Sequence, residues 1–303
     1  MSAMRGRTGT TFSHESTRAV LAEACDHIGV NSDDAELLRL GENAIYRVTT
    51  PPIVVRIARN ADHWDDVVKE VRVADWLEQA GIPAARTWPT EQPLSVGGHP
   101  VTCWRYIEGR RGGPGDVREL GGVLRRVHAL PRPTTFALPP EEMLGRVRPR
   151  IDRAPVPAAD RVFLVGLLDE LTAAVAELDY VLPGCVTHGD AHVQNLMIAD
   201  GEVVLIDFER VAWGQPEWDL AMTATEFVTA QFWNPDQYRA FVDSYGYDVT
   251  EWAGFPIVRR VHEVKMTTWL MQNINESTEI RDEYEVRMAT IRAGRPGPPW
   301  RAF

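Results

Sequence analysis

The chain has 303 residues, 44% of them hydrophobic and 25% charged, with a formal net charge of −11. That length supports one large domain or two lobes, each with its own core. The negative balance disfavours nucleic acid, whose binding rewards a basic surface through counterion release. It is compatible with a cationic partner such as an amine, and equally with solubility alone. Cys25, Cys103 and Cys185 are far apart and show no Cys-x-x-Cys spacing, which argues against a disulfide framework and for a reducing compartment. Met1 to Thr11 carries two arginines but no apolar stretch of signal-peptide length. No window approaches the roughly 18 apolar residues of a membrane span. The expectation is a soluble, cytoplasmic protein with no nucleic-acid and no membrane partner.

In chain order, a helix is expected from Ser13 to Ile28, with Ser13 as N-cap and Ala19, Val20, Leu21, Ala24 and Ile28 as its apolar stripe. Three β-prone segments follow, Ala35 to Leu40, Ile45 to Thr49 and Ile53 to Ala58, separated by Gly41-Glu42-Asn43 and by Pro51-Pro52. A second helix covers Trp64 to Gln79, stopped by Gly81-Ile82-Pro83. Gly97-Gly98 reads as a turn into a strand from His99 to Tyr106. Glu108 to Gly115, rich in glycine and arginine, reads as a linker. Helices are then expected over Asp116 to Leu130, from Glu141, over Ala158 to Leu178, and several times between Pro216 and Arg292. Among them lies a β-loop-β stretch, Cys185 to Phe208, whose Asp200-Gly201 tightens a hairpin. The tail from Gly294 should be irregular. The layout is a small strand-rich N-lobe, residues 1–107, followed by a larger helical C-lobe, residues 108–303.

The strongest chemical signal is His188-Gly189-Asp190-Ala191-His192-Val193-Gln194-Asn195, followed by Ile206-Asp207-Phe208-Glu209. Phosphoryl transfer needs magnesium held by hard oxygen ligands against the phosphates, and a carboxylate beside the acceptor hydroxyl. An aspartate, an asparagine five positions on, and a hairpin returning a second aspartate meet both needs. Two alternatives use the same residues. His188, Asp190 and His192 could form a zinc or iron cluster, or the polar residues could merely cap a hairpin.

This stretch resembles the catalytic and metal-binding segments of aminoglycoside phosphotransferases and choline kinases, relatives of the protein kinases. The resemblance implies a two-lobed, protein-kinase-like α+β fold with nucleotide in the cleft. It implies that Asp190 is the catalytic base, that Asn195 and Asp207 ligate Mg2+, and that His188 holds the loop by hydrogen bonds. Gly189 stands where many protein kinases carry an arginine that pairs with a phosphorylated activation loop. Only eleven residues separate Asp207 from Asp219, so protein-kinase activity is the weaker branch. Gly214-Gln215-Pro216-Glu217-Trp218-Asp219 is similar to the family's next segment, in which Asp219 would anchor the catalytic loop from below.

In the N-lobe, Arg56 occupies the position where kinases carry a strand lysine, and Glu70 that of its acidic partner. Such a cation would clamp the nucleotide phosphates, although arginine for lysine is not a conservative exchange. Asn43 lies in the turn that would pass over the phosphates. Tyr106-Ile107-Glu108-Gly109 resembles the hinge whose backbone reads the purine, with ATP the default over GTP.

The acceptor, a small hydroxylated molecule, should lie between Asp190 and the late helices. These carry Trp233, Trp252 and Trp269 with Glu226, Glu251 and Glu263, and aromatic faces beside carboxylates could hold an amine; core packing explains the tryptophans as well. Glu263 and Trp269 share a helix expected over Phe255 to Asn275, at a spacing that sets them roughly 120° apart. His192 and Glu209, beside the base and the second aspartate, are further acceptor candidates. The function expected is γ-phosphoryl transfer from ATP to a small-molecule hydroxyl. The rival is a catalytically weak, nucleotide-binding regulator of the same fold, prompted by Arg56 and the glycine-poor loop.

Overall fold

A computed structural model describes residues 12–41 and 43–303. The chain divides into two compact units, Met1–Gly109 and Arg110–Phe303. No described helix is long and apolar enough to cross a membrane.

The first unit is a five-stranded antiparallel sheet with two helices. Helix α1 (His14–His27) starts on Ser13, whose hydroxyl accepts from the Ser16 amide in a capping box. Strands β1 (Glu36–Leu40), β2 (Asn43–Val48), β3 (Ile53–Ala58), β4 (Leu94–Val96) and β5 (His99–Arg105) run in the order β1-β2-β3-β5-β4, and α2 (Trp64–Gln79) lies between β3 and β4 in sequence. The alternation of β2 and β3 sends Ala44, Tyr46, Val48, Ile53, Val55 and Ile57 into a core with Leu21, Ala24 and Cys25 of α1. The same period puts Arg56 on the opposite face, where it meets α2. The Tyr46 hydroxyl is 2.8 Å from Thr17 Oγ1, so the polar tip of this core tyrosine is satisfied. Of the expected Gly41-Glu42-Asn43 turn, Glu42 lies outside the described residues.

The second unit begins where a linker was expected. Arg110–Arg111 is strand β6, paired with Ile198 and Met197. Gly112 passes so close to the His188–Asn195 stretch that a Cβ on it would lie 2.3 Å from the Val193 carbonyl oxygen. Composition suggested a linker because glycine is also what close backbone approach demands. Helix α3 (Val117–His128) follows. The helix expected from Glu141 begins only at Val147, as α4 (Val147–Arg153): the Glu141 amide donates to the Trp213 carbonyl, which holds that segment extended. Helix α5 (Ala158–Ala176) leads to β7 (Cys185–Thr187). Strands β8 (Leu196–Ala199) and β9 (Glu202–Leu205) form the expected hairpin, with Asp200 at φ 52° and Gly201 at φ 80° as a two-residue left-handed turn. Strand β10 (Ala212–Gly214) returns to pair with β7. Helix α6 (Pro216–Thr225) runs into a turn of π-helix, Glu226–Ala230, and α7 (Pro235–Tyr245), α8 (Phe255–Leu270) and α9 (Thr278–Ala293) complete the unit. Trp218, Leu120, Leu124, Leu164, Phe241, Val258 and Val261 lie in its interior.

Candidate active site

The His188–Asn195 stretch leaves β7 of the β7–β10 pair at His188 and enters the separate three-stranded sheet β6-β8-β9 at Leu196. Asp219, wholly buried on α6, fixes its start. Its Oδ2 accepts from the His188 amide at 2.6 Å and its Oδ1 from the Gly189 amide at 2.8 Å. The His128 ring of α3 contacts Oδ2 through Nε2 at 3.0 Å, and its Nδ1 meets the Tyr245 hydroxyl at 2.9 Å. Burial works against the Asp219 charge, but the His128 hydrogen bond and charge, with His188, win and hold its carboxyl below the usual range. One carboxylate therefore anchors two consecutive amides, the arrangement expected for Asp219. His188 Nε2 donates to the Ile206 carbonyl at 3.0 Å, so this ring ties the loop to the far strand and is not assembled into a zinc or iron site. Among the described residues no group of three or more His, Cys, Asp and Glu side chains could hold a metal ion by itself. Arg111 closes the loop from β6, donating to the Gln194 carbonyl at 2.9 Å.

Asp190 follows this anchor with its side chain 41% exposed, and His192 Nε2 lies 3.6 Å from its Oδ2. Burial acts upward on the Asp190 carboxyl; His192, Lys265 and His188 outweigh it and keep Asp190 ionised well below the usual carboxylate range. His192 is shifted the other way: burial lowers its pKa, yet Asp190, Glu226 and Asp207 raise it overall. Asn195 Nδ2 donates to the Asp190 carbonyl at 2.9 Å and approaches His192 Nε2 at 3.2 Å. That leaves Oδ1 without a hydrogen bond among the described residues.

The β8–β9 hairpin brings the second aspartate back. Leu196 pairs with Leu205, and one step further the Ile206 amide donates to the Asn195 carbonyl at 3.0 Å. Asp207 is therefore next along from the residue facing Asn195, with an exposed side chain and a left-handed φ of 68°. An amide oxygen and a carboxylate are the hard donors that magnesium takes, so Asn195 and Asp207 fit that ion.

Three of the N-terminal candidates also come together. Arg56 Nη1 donates to Glu70 Oε1 at 2.5 Å. With its amide turned so that oxygen faces the guanidinium, Asn43 accepts from Arg56 Nε at 3.1 Å and Nη2 at 2.9 Å. Asn43 and Arg56 are diagonal neighbours on β2 and β3. The guanidinium reaches both partners through separate nitrogens, Nη1 to Glu70 and Nε with Nη2 to Asn43. At the expected hinge the Tyr106 amide is already engaged, donating to the Pro52 carbonyl at 3.1 Å while Arg47 stacks over the ring at 4.1 Å. Among the described residues the Ile107 amide makes no hydrogen bond, so of these two amides only that one is open to a base edge.

Of the acceptor candidates, His192 lies beside Asp190, whereas Glu263 and Trp269 do not come together. Glu263 is 1% exposed and accepts from Arg259 at 2.8 Å and Thr229 at 2.7 Å, whereas Trp269 is 41% exposed. The helix that carries both turns one inward and the other to solvent. Trp233 and Trp252 are buried, donating to Glu226 and to the Asp179 carbonyl; Glu251 is exposed. Glu209 is bound by Arg146. Two further groups act on the Asp190 charge: Lys265, which the sequence did not single out, and Glu226, which it did. Lys265 holds its ammonium 4.2 Å from the centroid of a Trp218 ring. Burial pushes its pKa down to about 7, helped by Arg210 and opposed by Asp190 and Glu141. Burial also raises the Glu226 carboxyl to about 7, against the pull of His192 and Trp233. Glu226 opens the π-helical turn, a distortion that often marks functional sites. The only sequence hint of Lys265 was its place one turn after His262.

The fold has counterparts among solved structures. A choline/ethanolamine kinase family protein from Mesorhizobium loti is 19% identical, with a TM-score of 0.66 over 94% of this chain and 95% of that one. An amicoumacin kinase solved with AMP-PNP and Ca2+ is 16% identical, with a TM-score of 0.69 over 95% and 98%. A microcompartment-associated aminopropanol kinase is 19% identical, with a TM-score of 0.68 over 91% and 95%. At these identities the likeness establishes the fold, a kinase-like mixed α/β architecture with a sheet-based N-terminal part and a helical C-terminal part. No curated protein matches the sequence. The model of the phosphotransferase enzyme family matches residues 35–255, from the first strand into α8 and across every residue of the Asp190–Asp219 constellation, and the chain belongs to that family.

Proposed function

We propose that the protein transfers the γ-phosphoryl group of ATP, with magnesium, to a hydroxyl of a small molecule, in the cytoplasm. The observation that carries this is the placement of Asp190, Asn195 and Asp207 on one hairpin-closed loop whose start is pinned by Asp219. Asp190 is ionised and partly exposed, so it can accept a hydrogen bond from the acceptor hydroxyl and aim its oxygen. Its low basicity suits late removal of the proton, after the bond to phosphorus has begun to form. His192 faces that anion at 3.6 Å, and the carboxylates around it raise its own pKa. Asn195 Oδ1 and the Asp207 carboxylate would hold magnesium, which when bound supplies charge neutralisation on the phosphates. Arg56, fixed by Glu70 and Asn43, would present a cation to the nucleotide, and Ile107 a backbone donor to the base; GTP is the alternative donor.

Magnesium-dependent ATP consumption against a panel of aminoglycosides, amino sugars, neutral sugars, amino alcohols and hydroxy acids tests this, with Asp190→Asn as control. Turnover with one acceptor, lowered at least about 100-fold in the variant with Mg-ATP binding retained, is the expected result. Full turnover by Asp190→Asn would remove Asp190 from the mechanism. Tight nucleotide binding with no turnover anywhere would favour a regulator.

A further inference from the structure

Glu251 aside, which is exposed, the carboxylates of the second unit considered for an amine already have partners within the protein. Glu263 is paired with Arg259 and Thr229. Glu226 accepts from the buried Trp233 indole at 3.0 Å. Glu209 is bound by Arg146, and Glu141 accepts from the Thr187 hydroxyl at 2.7 Å.

The cations of the same unit behave differently. Lys265 rests over Trp218, the residue preceding Asp219, and among the described residues its ammonium has no ion pair and no hydrogen bond. Arg210 lies directly against the loop. Its carbonyl oxygen and Cβ would be 2.3 and 2.8 Å from a Cβ on Gly189, the neighbour of Asp190. Its guanidinium likewise has no ion pair or hydrogen bond among the described residues, and neither side chain is fully exposed. Arg150 of α4, which packs against α8, adds a third positive charge to the field around Lys265. Asp190 and Glu141 offset part of this positive field, and a further anion between the cations would relieve the rest of their repulsion in partly dry surroundings.

We infer that Lys265 and Arg210 form the acceptor-recognition site beside Asp190, and that the acceptor is an alcohol carrying an anionic group, a carboxylate or a phosphate. The inference rests on the phosphotransferase reading above. The anion would sit toward Lys265 and Arg210, leaving the hydroxyl to Asp190. A carboxylate or phosphate suits the guanidinium fork of Arg210 and the point charge of Lys265.

The test is steady-state kinetics of ATP consumption with hydroxycarboxylates, sugar phosphates, neutral sugars and amino alcohols, for the wild type and for Lys265→Gln, Lys265→Arg and Arg210→Gln. The expected result is turnover of anionic acceptors, with their KM raised at least tenfold by Lys265→Gln and Arg210→Gln. The KM for ATP should stay within about twofold, and Lys265→Arg should recover most of the loss. Comparison of the hydroxycarboxylate and sugar-phosphate arms identifies the anion. Preferred turnover of neutral or cationic acceptors, with KM unmoved by Lys265→Gln, would overturn the inference while leaving the phosphotransferase reading intact. A rise confined to the KM for ATP would overturn it too, assigning both cations to the nucleotide. Absence of turnover with every acceptor class would overturn the phosphotransferase reading and the inference with it. Thermal melting of each variant checks folding, and Arg210→Gln carries the test if Lys265→Gln does not fold.

Discussion

The carbonyl oxygen of Arg210 occupies the space that any side chain on Gly189 would need. A Cβ there would lie 2.3 Å from that oxygen, and Gly189 already sits at φ +78°. The place where many protein kinases carry arginine is closed in this chain by backbone, which is why a glycine stands in it. Gly189→Ala should lose more than about 2 kcal/mol of stability, from the left-handed backbone cost together with the clash. Gly201→Ala shares a positive φ of 80° but meets nothing within 4 Å, so it should lose only about 1–2 kcal/mol. Urea unfolding of both variants measures the difference; equal losses would mean that the Arg210 contact relaxes freely.

Asp207→Ala removes the carboxylate that follows the Ile206–Asn195 backbone bond. The wild type should show a larger thermal shift with ATP in the presence of magnesium than in its absence. In the variant that difference should vanish, while the smaller shift with ATP alone persists. An unchanged magnesium dependence would take Asp207 out of the metal site.

Asp219 accepts from both the His188 and the Gly189 amides, and it also receives His128. Asp219→Ala strands buried donors, each costing on the order of 1–3 kcal/mol, so the fold should lose about 3–5 kcal/mol by chemical denaturation. Asp219→Asn keeps an acceptor oxygen but turns an NH2 toward donors, and should fall between. A loss under about 1 kcal/mol in the alanine variant would show that the loop is held by other contacts.

His262 predicts a pH dependence of stability. Its ring stacks on Trp218 with centroids 4.0 Å apart and donates from Nε2 to the Trp218 carbonyl at 3.0 Å. Burial depresses its pKa from 6.5 to about 3, with the Lys265 charge acting the same way. Between those values the unfolded chain binds a proton that the folded chain refuses. This contribution is therefore complete above pH 6.5 and is lost as pH falls toward about 3, by up to about 1.4 kcal/mol per pH unit. Asp219 and Asp190, both depressed, lose stability in the same direction at lower pH. The His262 part is isolated by comparison with His262→Gln, whose stability should decline less steeply between pH 6 and about 4.5. Parallel slopes would exclude His262 as the source.

Much of the frame was legible because it rests on local physics. Ser13 capped its helix, the alternation of β3 separated Ile53, Val55 and Ile57 from Arg56, and Asp200-Gly201 made its turn. Each depends on residues within a few positions of one another, where dihedral preference and periodicity act directly. Asp190 and Asn195 were legible for the same reason, and Asp207 because a two-residue turn fixes the return register.

Tertiary structure alone decided which side chains meet. Strand β6 and the β7–β10 pair join segments far apart in sequence, so glycine and arginine content suggested a linker instead. Asn43 turned out to hold Arg56, and Pro52 to occupy the Tyr106 amide. Glu263 and Lys265, two positions apart on α8, went to different surroundings: one into an ion pair with Arg259, the other over Trp218 beside the catalytic loop. Periodicity tells which face of a helix is covered. It does not tell what covers it, because that depends on how distant elements pack, and the charge that a buried carboxylate or ammonium keeps depends on those neighbours.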